Sequence, residues 1–219
     1  MNQDQKKLKV AEKVLDHIES GQVVGIGTGS TVNQLIEILD KVKSKIDGVV
    51  SSSEESTKRL EKKGVRILDI QETGRIPLYI DGADEANKFG QLIKGGGGAL
   101  TREKILAQAS DKFICIIDDS KLVKKLGTFP LPIEVISIAK SLVALEMIKL
   151  EGRPVLRENF ITDNGHLILD VHHLNLSEPI DMEKRINDMP GVITNGLFAI
   201  RPANKLIIGT EKGIEEYNI

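Results

Sequence analysis

The sequence predicts an α/β protein: an open domain of alternating strands and helices, with a second, smaller ferredoxin-like domain. Two observations carry this. Short apolar runs recur along the chain, and polar clusters at 28–31, 81–85, 94–103 and 118–121 each follow one of them. In open α/β sheets ligands bind beyond the carboxyl ends of the strands, so these clusters converge if their strands share a sheet. After Pro130-Leu131-Pro132 the pattern becomes strand, helix, strand, strand, helix, strand, the split βαβ order of a ferredoxin-like unit. The expected division is 1–130 plus 200–219 for the larger domain and 131–199 for the smaller, which serves closure or oligomerisation.

Between Gln5 and Ser20, Leu8, Ala11, Leu15 and Ile18 recur at helical spacing, and Gly21 ends the run. The neighbouring Lys6, Lys7 and Lys9 read as a solvated helix face. Val23-Val24-Gly25-Ile26 is a buried strand running into Gly27-Thr28-Gly29-Ser30-Thr31. Val32, Leu35, Ile36, Leu39 and Val42 mark the following helix, with Ser30 or Thr31 as its N-cap. Strand, hydroxyl-rich turn and helix start form an anion-binding device, because backbone N–H groups and the positive helix end meet there. The loop has neither the G-x-G-x-x-G of a dinucleotide fold nor the Gly-Lys-Ser/Thr of a nucleotide P-loop, which favours a small phosphorylated ligand over a structural turn.

Val49–Ser53 reads as a strand, Glu54–Lys63 as a charged helix closed by Gly64, and Val65–Leu68 as another short strand. Leu78-Tyr79-Ile80 then runs into Asp81-Gly82-Ala83-Asp84-Glu85. Carboxylates crowded past a buried strand are costly unless they bind something or share protons. A solvated acidic turn and a divalent-metal site are the rival readings; against the metal, the spacing fits no standard ligand loop and no histidine is near. Gln91-Leu92-Ile93 is a strand candidate before Lys94 and the glycines 95–98, and a helix follows from Ala99 to Ser110 with Leu100, Ile105, Leu106 and Ala109 as its stripe. Such a turn brings Lys94 and Glu103 to one small site near helix N–H groups, unless it is a flexible loop beside a solvated helix.

Lys112–Ile117 makes a further strand, ending in Asp118-Asp119-Ser120-Lys121. The smaller domain comprises Ile133–Ile136, a helix from Ala139 to Leu150, strands at Pro154–Glu158 and His166–Val171, a helix from Ile180 to Asp188, and a strand from Val192 to Leu197. Leu206–Ile208 returns the chain to the first sheet. His166, His172 and His173 read as turn and surface positions, since their spacing and missing fourth ligand do not suit a metal.

Composition excludes several classes. Aromatics at 3% with no Trp give no stacking platform for single strands, and a net charge of -2 argues against binding a phosphate backbone, so no nucleic acid partner is expected. Cys115, the single cysteine, lies in an apolar run and leaves no intrachain disulfide or thiolate metal site. The N-terminus lacks the apolar core of a signal peptide and no apolar stretch reaches membrane-spanning length, so a cytoplasmic location without membrane association is expected.

Taken together the motifs resemble the ribose-5-phosphate isomerases of type A. Gly25-Ile26-Gly27-Thr28-Gly29-Ser30-Thr31, Asp81-Gly82-Ala83-Asp84-Glu85 and Lys94 through Lys104 carry the resemblance. It continues through Ser120-Lys121, Leu126-Gly127-x-Phe129-Pro130-Leu131-Pro132, Thr162-Asp163-Asn164-Gly165, Pro190-Gly191-Val192 and Gly196-Leu197-Phe198. Departures are mild: His166 stands where the family usually has Asn, and Thr194-Asn195 lies in a variable turn. The resemblance implies interconversion of D-ribose 5-phosphate and D-ribulose 5-phosphate, in the non-oxidative branch of the pentose phosphate pathway, without metal or organic cofactor. It also implies a Rossmann-like larger domain and a homodimer or homotetramer.

By motif position Glu103 would be the base between C2 and C1, with Asp81, Asp84 and Lys94 at the reacting end. Lys7, Thr28, Gly29, Ser30, Thr31 and Lys121 would hold phosphate or sugar hydroxyls, with Gly82, Ala83, Gly95, Gly96 and Gly97 as further substrate-binding positions. Aldose–ketose isomerisation needs a carboxylate over the C–H bond and stabilisation of the charge developing on the enediolate oxygen. A sugar-phosphate sensor is the rival of another class, but twenty residues before the first strand leave no room for a DNA-binding helix pair. An amino-sugar phosphate deaminase or isomerase is the nearer enzyme rival.

Overall fold

The computed structural model describes all residues from Met1 to Ile219. In chain order its elements are α1 (Gln3–Val14), β1 (Val23–Ile26), α2 (Ser30–Ile38), β2 (Gly48–Ser51), α3 (Glu54–Lys62), α4 (Ile70–Thr73), β3 (Ile76–Asp81), β4 (Glu85–Ala86), β5 (Leu92–Ile93), α5 (Leu100–Ala109) and β6 (Ser110–Asp118). They continue with β7 (Leu131–Val135), α6 (Lys140–Lys149), β8 (Arg153–Leu156), β9 (Leu167–His172), α7 (Pro179–Asn187), β10 (Val192–Asn195), β11 (Leu197–Phe198), β12 (Lys205–Thr210) and β13 (Gly213–Asn218).

Parallel strands covered on both faces read as continuous apolar runs, and such runs build the first unit. Its sheet has the order β13-β12-β6-β3-β1-β2, parallel throughout except for the β12–β13 hairpin. Helices α1 and α2 lay Val10, Ala11, Val14, Val32, Leu35 and Ile36 onto Val24, Ile26, Ile80, Ile114 and Ile207 of the sheet. Leu8, expected in that stripe, is exposed; the face turned inward is that of Val10, Ala11 and Val14. The return of Leu206–Ile208 beside β6 is as expected. Val65–Leu68 forms only an isolated bridge to β2, between Ile67 and Val49. The edge strand β13 was not anticipated, because Glu215 and Glu216 interrupt its apolar pattern; charges of this kind suit an edge.

The second unit comprises Asp84–Thr101 and Val123–Pro202, the first Met1–Ala83, Arg102–Leu122 and Ala203–Ile219. Residues 84–101, 123–130 and 200–202, expected with the larger domain, therefore group with the smaller. Hydrogen bonding explains this: β4 and β5 pair in a small sheet of order β11-β5-β4, Val123 N donates to Ala86 O at 2.8 Å, and Glu85 accepts from Gly127 N and Phe129 N at 2.8 and 2.6 Å. The main sheet of this unit has the order β10-β7-β9-β8, all antiparallel, with α6 and α7 as its crossovers in the split βαβ arrangement. Its core gathers Leu131, Ile133, Val135, Val143, Met147 and Ile186. The single strand expected over Val192–Leu197 is two strands in two sheets, broken at Gly196, where a Cβ would lie 2.2 Å from Lys94 O. Likewise β5, the strand before the glycines, belongs to the small sheet; of the four polar clusters, three follow strands of the large one. No helix is long and apolar enough to cross a membrane.

Candidate active site

In the first unit, β6, β3 and β1 are neighbours and parallel, so Asp118, Asp81 and the Gly27–Thr31 loop lie at the same, carboxyl end of the strands. Asp81 is fully buried and held by three donors. Thr28 N and Gly82 N reach its Oδ1 at 3.0 and 2.7 Å, and the Tyr79 hydroxyl donates to Oδ2. Tyr79 reaches it because residues two apart on a strand share a face. The carboxylate lies over Gly27, where a Cβ would fall 1.9 Å from it. Thr28 is tied further: its hydroxyl donates to Ser53 Oγ at 2.8 Å and lies 3.0 Å from Ser52 Oγ, while Ser56 Oγ donates to Gly27 O at 2.8 Å.

The N-cap of α2 is Gly29, not Ser30 or Thr31, and no side chain caps the helix. Ser30 is exposed and Thr31 buried within the first turn. The first N–H groups and positive end of α2 thus have no side-chain acceptor, an arrangement that suits an anion. Lys121 is half-buried at the end of the single turn Asp119–Lys121 after β6, where Asp118 accepts from Ser120 N at 3.0 Å. Lys7 is half-buried on α1. Its neighbour Lys6, expected on a solvated face, instead pairs with Asp119 at 2.9 Å, and Gln3 Nε2 donates to Asp118 at 3.3 Å. These contacts fix the start of α1 to the turn that carries Lys121.

Glu103 is on the first turns of α5 and only 3% exposed, whereas Ile105, expected in the buried stripe, is 50% exposed and Ala107 is buried. The Tyr79 hydroxyl is pushed well above its ordinary value, first by burial and then by the charges of Asp81 and Glu103. The first unit therefore brings Thr28, Tyr79, Asp81 and Glu103 into one electrostatic neighbourhood. Tyr79 escaped the sequence reading, although a tyrosine inside an otherwise aliphatic strand needs a partner for its hydroxyl.

The second unit carries the other candidates. Lys94 is 2% exposed, its Nζ 5.7 Å from the centroid of the Phe198 ring, and its backbone N donates to Gly196 O at 2.9 Å. Asp84 donates from N to Ile93 O at 2.9 Å and accepts from Gly96 N at 2.7 Å. Gly96 and Gly97 are exposed, and Gly95 is buried at φ +101°, a backbone state that favours glycine. Glu85, grouped with the aspartates by sequence, spends both oxygens on the 127–129 loop.

A further buried carboxylate, Glu134, is not singled out by the sequence. Glu134 is 0% exposed and accepts from the Thr101 hydroxyl, from Thr162 Oγ1 at 2.7 Å and from Asn164 Nδ2 at 3.2 Å, with His166 Nδ1 at 3.0 Å. His166 is thus part of this network and not simply a surface residue. A glutamate amid Leu131-Pro132-Ile133 was the available signal, since a buried charge requires such donors. The rings of His172 and His173, at the end of β9, meet at a tilt of 48° with centroids 6.1 Å apart. No three His, Cys, Asp or Glu side chains are grouped so as to hold a metal ion.

A parallel α/β sheet with an uncapped helix start and buried carboxylates at its strand ends is the equipment of an enzyme that moves protons on a small phosphorylated molecule. The family model described as ribose 5-phosphate isomerase A (phosphoriboisomerase A) matches residues 48–213. The ribose-5-phosphate isomerase A of Buchnera aphidicola subsp. Schizaphis graminum is 54% identical over 98% of both chains. Among solved structures, ribose 5 phosphate isomerase A from Neisseria gonorrhoeae superposes with a TM-score of 0.97 at 45% identity, covering 99% of this chain and 97% of that one. A D-ribose-5-phosphate isomerase in complex with phospho-erythronic acid superposes with a TM-score of 0.95 at 34% identity over 100% of both. The chain belongs to the ribose 5-phosphate isomerase A family.

Proposed function

We propose that the protein is an aldose–ketose isomerase that interconverts D-ribose 5-phosphate and D-ribulose 5-phosphate through an enediolate. The observation that carries this reading is the joint presence, in one unit, of an uncapped helix start suited to a phosphate and a nearly buried glutamate near a tightly held aspartate. Phosphate bound at Gly29, Ser30, Thr31 and Lys121, with Lys7 nearby in role, anchors the open-chain sugar away from the chemistry. That binding energy is then used for orientation.

Glu103 takes the proton from C2 of the aldose, and the electron pair moves into the C1–C2 bond as charge builds on O1. Lys94 stabilises this charge, and Asp84 or Asp81 passes the O2 proton to O1. Glu103 then returns its proton to C1, so nothing is gained or lost overall. Gly82, Ala83 and Gly95–Gly97 offer backbone groups to the sugar. Phospho-erythronic acid, the ligand of a related structure, pairs a planar carboxylate with a phosphate, as does the enediolate in shape. The acid is therefore expected to compete with ribose 5-phosphate here.

The test is Glu103→Gln, which keeps shape and hydrogen-bonding reach but cannot accept the C2 proton. It should lower kcat by about 10²- to 10⁴-fold and leave KM within a few fold. In heavy water the wild-type protein should place deuterium at C1 of the ketose. Near-normal turnover by the variant would show that another group is the base. Preferential turnover of glucosamine 6-phosphate would favour the amino-sugar reading.

A further inference from the structure

A turn of four glycines has the largest backbone entropy a chain can offer, and it should wander unless something holds it. In the second unit something does. Arg157, on the segment after β8, donates from Nη1 to both Gly95 O and Gly96 O at 3.1 Å. Its Nε and Nη2 form a two-point pair with Asp170 on β9, at 2.9 and 2.6 Å. Arg157 N also donates to Ile168 O at 2.9 Å, which fixes the base of the side chain to the sheet. Four of its five N–H groups are thereby used, so the guanidinium is not available as a two-point ligand for phosphate.

Phe160 completes the brace. Its ring lies 5.3 Å from the Arg157 guanidinium carbon and covers Gly98, where a Cβ would fall 2.1 Å from the ring. On the turn itself Gly98 N donates to Gly95 O at 2.9 Å and Gly96 N to Asp84 at 2.7 Å. The carbonyls are therefore held by Arg157, and one amide by Asp84. Lys94 immediately precedes this braced segment.

We propose that Arg157, oriented by Asp170, is a positioning residue for the isomerisation: it fixes the glycine turn and so holds Asp84 and Lys94 in their reactive placement. The proposal rests on the roles given to those two residues under the proposed function. A lysine at 157 would keep the charge, but a single ammonium lacks the planar fork that spans a carboxylate and two carbonyls at once.

Arg157→Lys should lower kcat by about 10- to 100-fold with KM changed less than about threefold, because small misplacements of reacting groups cost rate far more than binding. Hydrogen exchange followed by mass spectrometry should show faster exchange at 94–99 and little change in the six-stranded sheet. Arg157→Ala should regain part of its lost kcat in added guanidinium at millimolar concentration, which repair of a merely structural defect would not give. In an Asp84→Asn background, Arg157→Lys should cost less than in the wild type, since the two act on one turn. Normal kcat in a folded Arg157→Lys protein, or unchanged exchange at 94–99, would overturn the proposal. Should Arg157→Lys misfold, Asp170→Asn carries the same exchange and kcat tests with the same two outcomes. Full activity of Asp84→Asn and Lys94→Met beside a slow Arg157→Lys would instead fault the roles of those two residues and leave the brace standing.

Discussion

At the scale of the residue, Tyr79 shows how a buried hydroxyl can hold a carboxylate in place. Its hydroxyl is one of three donors to Asp81, and its ionisation is suppressed by burial and by the Asp81 and Glu103 charges. Tyr79→Phe leaves Asp81 one donor short and should cost about 1–3 kcal/mol of stability near neutral pH. The pH dependence has a definite sign. An unfolded tyrosine loses its proton around 10, the folded one only well above that. Its contribution is thus fully present below pH 10 and lost as pH rises toward the folded value. Urea midpoints of wild type and Tyr79→Phe should therefore converge above about pH 10, and a constant gap there would contradict the assignment.

At the scale of the element, the start of α2 is the feature to probe. Its N-cap is a glycine without a capping side chain, so its first amides and its positive end are left without a side-chain acceptor, which suits the anion role proposed for it. Lys121→Ala should raise KM by roughly 10- to 100-fold, the equivalent of losing one charge-assisted contact of about 1.5–3 kcal/mol, with a smaller effect on kcat. Inorganic phosphate should compete with the sugar phosphate in the wild type and compete less well in the variant. An unchanged KM together with no phosphate inhibition would move the anion site elsewhere. The brace on the glycine turn belongs to the same scale, since it acts on a segment and not on one atom.

At the scale of the whole molecule, no three His, Cys, Asp or Glu side chains are grouped for a metal. Activity is accordingly expected to persist after exhaustive chelation; loss with EDTA and recovery with one divalent ion would refute the metal-free reaction. Much of the architecture was legible in the chain. Val23–Ile26 and Phe113–Ile117 are covered on both faces and therefore read as plain apolar runs. The polar hairpin strand β13 and the two-residue strand β4 lack a pattern long enough to read. Among site residues, Asp81, Lys94 and Glu103 stand out because charged groups adjoin strand ends or glycines. Arg157 and Glu134 do not, because what defines them is a partner far along the chain: Gly95 is 62 positions from Arg157, and Thr101 is 33 from Glu134. The seat of Asp81 over Gly27 bears on heredity as well as on chemistry. The carboxylate occupies the space a methyl group at 27 would need. Position 27 cannot take a side chain while Asp81 keeps its seat, so a scan of single changes should find Gly27 intolerant. A descendant of this chain could acquire a side chain there only after, or together with, a change at 81.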